Sequence, residues 1–95
     1  MRLVWSEASQ ADLLAIHRYI DARNPAAAQK VMQAIETAAQ RLTVFPQLGR
    51  PSDRSDIRLL QVPGHPYLLP YRVANYEIEI IAVVDERMER PREWL

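Results

Sequence analysis

The sequence predicts an α+β domain in which two antiparallel helices pack on one face of a twisted antiparallel sheet. Apolar residues recur at helical spacing in the first half of the chain and alternate with polar residues, as in strands, in the second half. Only a few residues separate the two helical segments, so these helices must form a hairpin. We therefore predict one domain over residues 1–95. It consists of a short strand (1–5), a helical hairpin (6–45), a loop (46–56), a three-stranded antiparallel meander (57–84) and a tail (85–95).

The first strand and the first helix follow each other directly. Residues 2–5 are typical of a short strand. Either Ser6 or Ser9 is able to cap the next helix, and Ser9 with Asp12 three residues later has the form of a capping box. The apolar stripe predicted for this helix consists of Leu13, Ile16, His17 and Ile20.

The second helix has the clearest boundaries. Asn24 supplies an N-cap oxygen, and Pro25 fits the first helical position, where an N–H has no intrahelical partner. The helix must end by Phe45, because Pro46 cannot continue it. Its predicted buried stripe consists of Ala28, Val31, Ile35, Ala38 and Leu42.

The second half of the chain predicts three strands over residues 57–62, 67–73 and 76–84. Pro70 lacks an N–H for the ladder, so it predicts an edge position or a bulge. The third strand carries apolar residues on both faces towards its end, which is typical of a central strand. Its predicted faces are Ile78, Ile80, Ala82 and Val84 on one side, and Glu77 and Glu79, followed by Ile81 and Val83, on the other.

Composition narrows the classes of function. Twelve basic and twelve acidic residues give no net charge, whereas proteins that bind nucleic acid by bulk electrostatics are clearly basic. There is no cysteine, and His17 and His65 are isolated, so we expect neither a metal site nor a cofactor. No segment approaches the roughly 18 apolar residues of a membrane span, and the N-terminus lacks a long apolar signal core. We expect a cytoplasmic protein without membrane contact.

Several short motifs follow one another in a fixed order along the whole chain. They are residues 12–20 on the first helix, Asn24-Pro25 before an Ala-rich helix, the P-x-x-G loop within residues 45–51, Ile57-Arg58-Leu59 at the start of the meander, Tyr71-Arg72-Val73 in the next strand, and residues 80–84 before a polar turn with Arg87. As an ordered set, they resemble the RelE/ParE superfamily of toxins from bacterial type II toxin–antitoxin modules.

The resemblance implies one of two activities. RelE-like members are ribosome-dependent endonucleases that cut mRNA, and ParE-like members poison DNA gyrase by binding to it. In both groups a small antitoxin, expected here to be ParD-like, wraps the toxin in a hetero-oligomer and supplies the contact with operator DNA. A degenerate, non-toxic member that only binds its antitoxin is a third interpretation.

The residues themselves favour the ParE-like activity. RNA cleavage needs a base, cations around the phosphate and an acid for the leaving oxygen. However, residues 49–95 contain no Lys, Leu68 stands where the nuclease has an Arg, and Asp85-Glu86 follows the last strand where many relatives carry a His. Two carboxylates would repel a phosphate in the absence of a metal. If the chain is a nuclease after all, the candidate catalytic residues are Arg58, Arg72 and Arg87.

Two sets of residues are predicted to contact partners. Guanidinium groups and a tryptophan are typical interface anchors. The predicted target contacts are therefore Arg87, Arg90, Arg92 and Trp94. An antitoxin helix would need an apolar groove, and its predicted contacts are Leu13, His17, Ile20, Tyr67 and Tyr71.

Structural roles for the same residues remain open. Arg87 and Arg90 could pair with Glu86, Glu89 or Glu93 while Trp94 covers the sheet edge. Arg58 could pair with Glu77 or Glu79, and Arg72 could form a cross-strand ion pair worth under about 1 kcal/mol. Core packing is the alternative for Tyr71 and His17, and simple exposure is the alternative for His65.

Overall fold

The computed structural model describes residues 1–88 and confirms the α+β fold. The elements are β1 (Arg2–Trp5), α1 (Glu7–Asp21), α2 (Pro25–Arg41), β2 (Arg50–Pro51), β3 (Arg58–Gln61), β4 (Tyr67–Ala74), β5 (Glu77–Ile80) and β6 (Val84–Asp85). Arg90, Arg92 and Trp94, which were predicted to contact the target, lie outside the described residues. No helix in the described part is long and apolar enough to cross a membrane.

The strands form one mixed sheet in the order β1-β5-β4-β3-β2, and β6 pairs with the other end of β4. β3, β4 and β5 form the predicted antiparallel meander. β1 runs parallel to β5, so β5 is central, as its sequence predicts. The loop predicted over residues 46–56 is interrupted by β2, which pairs with β3 at the sheet edge.

The two helices begin where side-chain oxygens cap them. Ser6 caps α1, because its hydroxyl oxygen accepts a hydrogen bond from the backbone N–H of Ser9 at 3.0 Å. The predicted capping box of Ser9 with Asp12 is therefore wrong. For α2 the prediction is confirmed: Asn24 Oδ1 accepts from the N–H of Ala27 at 3.1 Å, and Pro25 is the first helical residue.

The core lies between the helical hairpin and one face of the sheet. The predicted stripe of α2 is buried at all five of its positions. The α1 stripe is half-buried, and its residues Leu13, Ile16 and Ile20 pack against the same core. From the sheet, Leu69, Tyr71, Ile78 and Ile80 contribute fully buried side chains. Burial of this surface is the main force that joins helices to sheet.

A bulge interrupts the last strand. Tyr71 lies opposite Ile80, and Leu68 lies opposite Val84, so two residues of β4 (69 and 70) face three residues of the other strand (81–83). Pro70 lies opposite this bulge on a strand that is paired on both sides, so of the two predictions for it the bulge is confirmed and the edge position is wrong. The extra residue exchanges the two faces of the strand. The prediction that Ala82 and Val84 share a face with Ile80 is wrong, since both belong to a small cluster with Leu68, while Val83 joins the main core.

The N-cap residue of α1 and a side chain from its second turn bind backbone groups at the bulge. Ser6 Oγ donates to the carbonyl oxygen of Ile81 at 2.8 Å, and Asp12 Oδ2 accepts from the N–H of Val83 at 2.9 Å. Buried backbone groups need such partners. The start of α1 is therefore fixed to the sheet at the point where the sheet ladder is broken.

The turn between β4 and β5 uses two residues with positive φ. Asn75 has φ 53° and Tyr76 has φ 61°, which is the pattern of a type I′ hairpin turn. Asn tolerates this conformation, but a tyrosine pays a steric penalty there. The Tyr76 side chain is 86% exposed, so no packing within the described residues compensates for that strain.

Candidate functional site

A groove of about 760 Å³ opens between the helical hairpin and the end of the sheet where β4 and β6 meet. We call it the hairpin groove. Its apolar part is formed by Ile16, Ile20, Val31 and Tyr67. Tyr19, Arg87 and Met88 also line it and are largely exposed. It is therefore an apolar trough whose lining also includes the charged pair of Asp85 and Arg87.

Arg87 is fixed at the groove by Asp85. Its Nε and Nη2 donate to the two carboxylate oxygens of Asp85 at 3.0 and 2.8 Å, and its backbone N–H donates to Oδ1 at 2.9 Å. These hydrogen bonds lower the pKa of Asp85. Burial, together with the negative charge of Asp85, raises the pKa of the neighbouring Tyr67. Arg87 thus pairs with Asp85, whereas one alternative had predicted Glu86 as its partner.

The hairpin groove collects only some of the predicted antitoxin contacts. Ile20 and Tyr67 line it. Leu13 and His17 are half-buried on α1, where Leu13 packs against the core. Tyr71 has no exposed surface, so its prediction as a partner contact is wrong and its alternative role in the core is confirmed.

Tyr71 holds a loop in place from inside the protein. Its hydroxyl donates to the carbonyl oxygen of Pro46 at 2.8 Å and accepts from the N–H of Gly49 at 2.9 Å. A Cβ at Gly49 would lie 2.6 Å from the Tyr71 ring, so the P-x-x-G motif needs its glycine for this close approach. The sequence contains both motifs but does not indicate that they touch.

Arg58 binds the same loop. Its Nε donates to the carbonyl oxygen of Gly49 at 2.8 Å, and its Nη2 donates to that of Gln47 at 3.3 Å. The guanidinium of Arg58 therefore neither pairs with Glu77 or Glu79 nor is free to contact a target. Arg58 is a structural residue of the loop.

Arg72 lies on the opposite face of the sheet. Its guanidinium is 3.8 Å from Glu79, its cross-strand neighbour, and 3.9 Å from Asp56. The cross-strand ion pair predicted as its alternative role is confirmed. Glu77 pairs with Arg2, so both glutamates of β5 belong to a charged outer face.

The three arginines named for a nuclease do not meet. Arg58 shares a cross-strand pair with Tyr71 and so lies on the helix side of the sheet, whereas Arg72, the next residue after Tyr71, points to the other side. Arg87 is at the hairpin groove and is bound to Asp85. Within residues 1–88, no group of three or more acidic or histidine side chains is placed to hold a metal ion.

Comparison with known proteins decides the family. A family model described as the ParE toxin of the type II toxin–antitoxin system parDE matches residues 3–90. The chain belongs to this ParE toxin family.

Similar proteins carry names from both branches of the superfamily. This ParE-family toxin is 32% identical over 91 residues to "Putative toxin Y4kP" of Sinorhizobium fredii, which covers 96% of the chain and 94% of the relative. It is 35% identical over 82 residues to "Toxin RelE2" of Caulobacter vibrioides, with 86% and 91% covered. A solved structure, the chromosomal ParDE toxin–antitoxin system from P. aeruginosa, matches with a TM-score of 0.80 and 31% identity over 90% of this chain and 95% of the other.

The sequence prediction missed two groups of exposed residues in this ParE-family toxin. Tyr19 lines the hairpin groove, and Arg23 fixes it, because the guanidinium carbon of Arg23 lies 3.9 Å from the ring centroid. The position of Tyr19 three residues after Ile16 was a usable signal. Val44, Phe45 and Leu48 are exposed on the loop that Tyr71 and Arg58 hold.

Proposed function

We propose that this ParE-family toxin arrests growth by binding DNA gyrase, without cutting RNA, and that a ParD-like antitoxin neutralises it. The observation that carries the proposal is the separation of Arg58, Arg72 and Arg87. Stabilising the charge on a reacting phosphate requires donors that converge on one point. These three cations point to different places, and each already has a partner.

Each arginine is also poorly suited to phosphate by itself. Arg58 donates to two backbone carbonyls that would lose their partner if it moved. The guanidinium of Arg72 lies next to two carboxylates, those of Asp56 and Glu79. Asp85 occupies the guanidinium fork of Arg87, and its negative charge would repel a phosphate. Binding without bond chemistry is the activity that this arrangement supports.

The hairpin groove supports binding of the antitoxin. An amphipathic helix recognises such a trough by apolar anchors spaced at i, i+3 and i+4. Ile16, Ile20 and Tyr67 would receive these anchors. Since the toxin carries no net charge, we assign operator DNA binding in the hetero-oligomer to the antitoxin.

A supercoiling assay tests the proposed target. Purified toxin is titrated into purified DNA gyrase with relaxed plasmid, and we expect supercoiling to fall as the toxin concentration rises. Addition of the ParD-like antitoxin should restore it. Normal supercoiling at high toxin concentration, together with codon-phased mRNA cleavage on ribosomes after induction, would instead favour the RelE-like endonuclease. Absence of growth arrest would favour a non-toxic member.

A further inference from the structure

We propose that the loop after α2, together with the arginine on either side of it, is the surface with which this toxin binds its target protein, and that this surface is separate from the hairpin groove. We call it the Phe45 surface; it consists of Arg41, Val44, Phe45, Leu48 and Arg50. The proposal rests on the proposed function, a toxin that acts by binding, and adds the residues that would do so.

The Phe45 surface exposes apolar side chains of the kind that globular proteins usually bury in their core. Val44 is 69%, Phe45 58% and Leu48 41% exposed, and Phe45 is the only phenylalanine of the chain. Single exposed apolar residues are ordinary, but here three of them lie within five positions of one loop. Aromatic residues in such patches are typical anchors of protein interfaces.

The loop is held in one conformation although nothing in the described part of the chain covers these side chains. Tyr71 and Arg58 together bind the backbone of Pro46, Gln47 and Gly49 through four hydrogen bonds of 2.8–3.3 Å from the inner side. All four contacts go to the backbone, so the side chains of the loop remain free. A loop that is ordered before binding loses less entropy when a partner binds.

Charge and shape indicate what kind of partner fits. Next to Leu48 lies a hollow of about 310 Å³ whose lining includes Arg41 and Arg50. Both arginines are exposed, and within residues 1–88 neither has an ion pair. The partner should therefore be a protein surface with an apolar pocket for Phe45 and carboxylates for the two guanidinium groups. The apolar patch argues against a nucleic acid as the partner.

Two matched pairs of variants test the Phe45 surface. Phe45→Ser is compared with Leu14→Ser, because Leu14 is similarly exposed at 50% but lies on α1. Arg41→Glu is compared with Arg18→Glu, since each arginine lies in the last turn of its helix and both changes disturb the helix dipole alike. Circular dichroism and thermal unfolding establish that all four variants are folded.

The readouts are inhibition of purified DNA gyrase and growth arrest on induction. We expect Phe45→Ser and Arg41→Glu to raise the toxin concentration for half-inhibition at least about tenfold and to relieve growth arrest. The two control variants should behave as wild type, and all four should still bind the ParD-like antitoxin. If Phe45→Ser inhibits gyrase as strongly as Leu14→Ser and wild type do, the proposal of the Phe45 surface is overturned, whereas gyrase remains the proposed target.

Other results separate the two proposals. If the wild-type toxin leaves supercoiling unchanged but arrests growth, the gyrase target is wrong, and relief of arrest by Phe45→Ser still supports the Phe45 surface. If Arg41→Glu loses activity while Phe45→Ser keeps it, a purely anionic ligand such as nucleic acid is indicated and the proposal fails. If the wild-type toxin neither inhibits supercoiling nor arrests growth, both the gyrase target and the Phe45 surface are overturned.

Discussion

Removal of a single oxygen atom in Tyr71→Phe tests the idea that this residue holds the loop in place. The ring is fully buried, and the phenylalanine ring would fill the same space. Only the hydroxyl group is lost, and with it the hydrogen bonds to Pro46 and Gly49. The variant therefore separates the loop contact from core packing.

The magnitude follows from what the two partners lose. The buried N–H of Gly49 would have no acceptor, which costs about 1–3 kcal/mol, and the Pro46 carbonyl would lose a hydrogen bond worth about 0.5–1.5 kcal/mol. We expect the free energy of unfolding to fall by about 2–3 kcal/mol. That is a large share of the roughly 5–15 kcal/mol that stabilises a typical domain.

Urea unfolding at neutral pH measures this change, with Tyr67→Phe as the control on the same strand. Tyr67 is 5% exposed and no protein group within the described residues hydrogen-bonds to its hydroxyl, so its variant should differ from wild type by less than about 0.5 kcal/mol. Because Arg58 binds the same loop, Arg58→Met combined with Tyr71→Phe should be non-additive by about 0.5 kcal/mol or more. A Tyr71→Phe variant as stable as the Tyr67 control would refute the assignment.

Three further predictions concern other parts of the molecule. The folded-state pKa of Asp85 is lowered, so its pair with Arg87 should stabilise the fold above about pH 4, with this contribution lost as the pH falls; Arg87→Met should therefore lower the unfolding midpoint at pH 7, and this difference from wild type should shrink as the pH falls below about 4. Tyr76→Gly should stabilise the protein by about 1 kcal/mol in urea unfolding, because glycine accepts positive φ, and no gain would count against strain in this turn. Tyr19→Ala should weaken antitoxin binding at least about tenfold in calorimetry, whereas Leu14→Ala, outside the hairpin groove, should not; equal affinities would contradict that assignment.

Local patterns in the sequence were enough to predict the helices. The cap at Asn24, the proline at the first position of α2 and its five-residue stripe all depend on residues a few positions apart. The same holds for Pro70, whose missing N–H predicted a bulge. Such features follow from backbone chemistry and the helical period.

Contacts between distant residues were not predictable in the same way. Asp12 looked like part of a capping box, but its partner, Val83, is 71 residues away. Arg58 and Tyr71 each had several plausible roles, and their common partner is a loop 9 to 25 residues earlier in the chain. The pattern of a single segment does not say which remote backbone group lacks a partner, because that depends on how the elements pack.

The bulge at residues 81–83 determines which side of the molecule the last described residues face. A strand has a period of two, so an insertion or deletion of one residue acts on its side chains as a frameshift acts on codons. If the same sequence continued the regular pairing of β5 without the bulge, Asp85 and Arg87 would point away from the helices, and Ala82 and Val84 would point towards them. Deletion of Ile81 would instead remove the bulge and keep Asp85 opposite Tyr67, so the charged residues of the groove would stay in place. Relatives of the same length that pair regularly at this point should present the same C-terminal residues on the opposite side of the sheet.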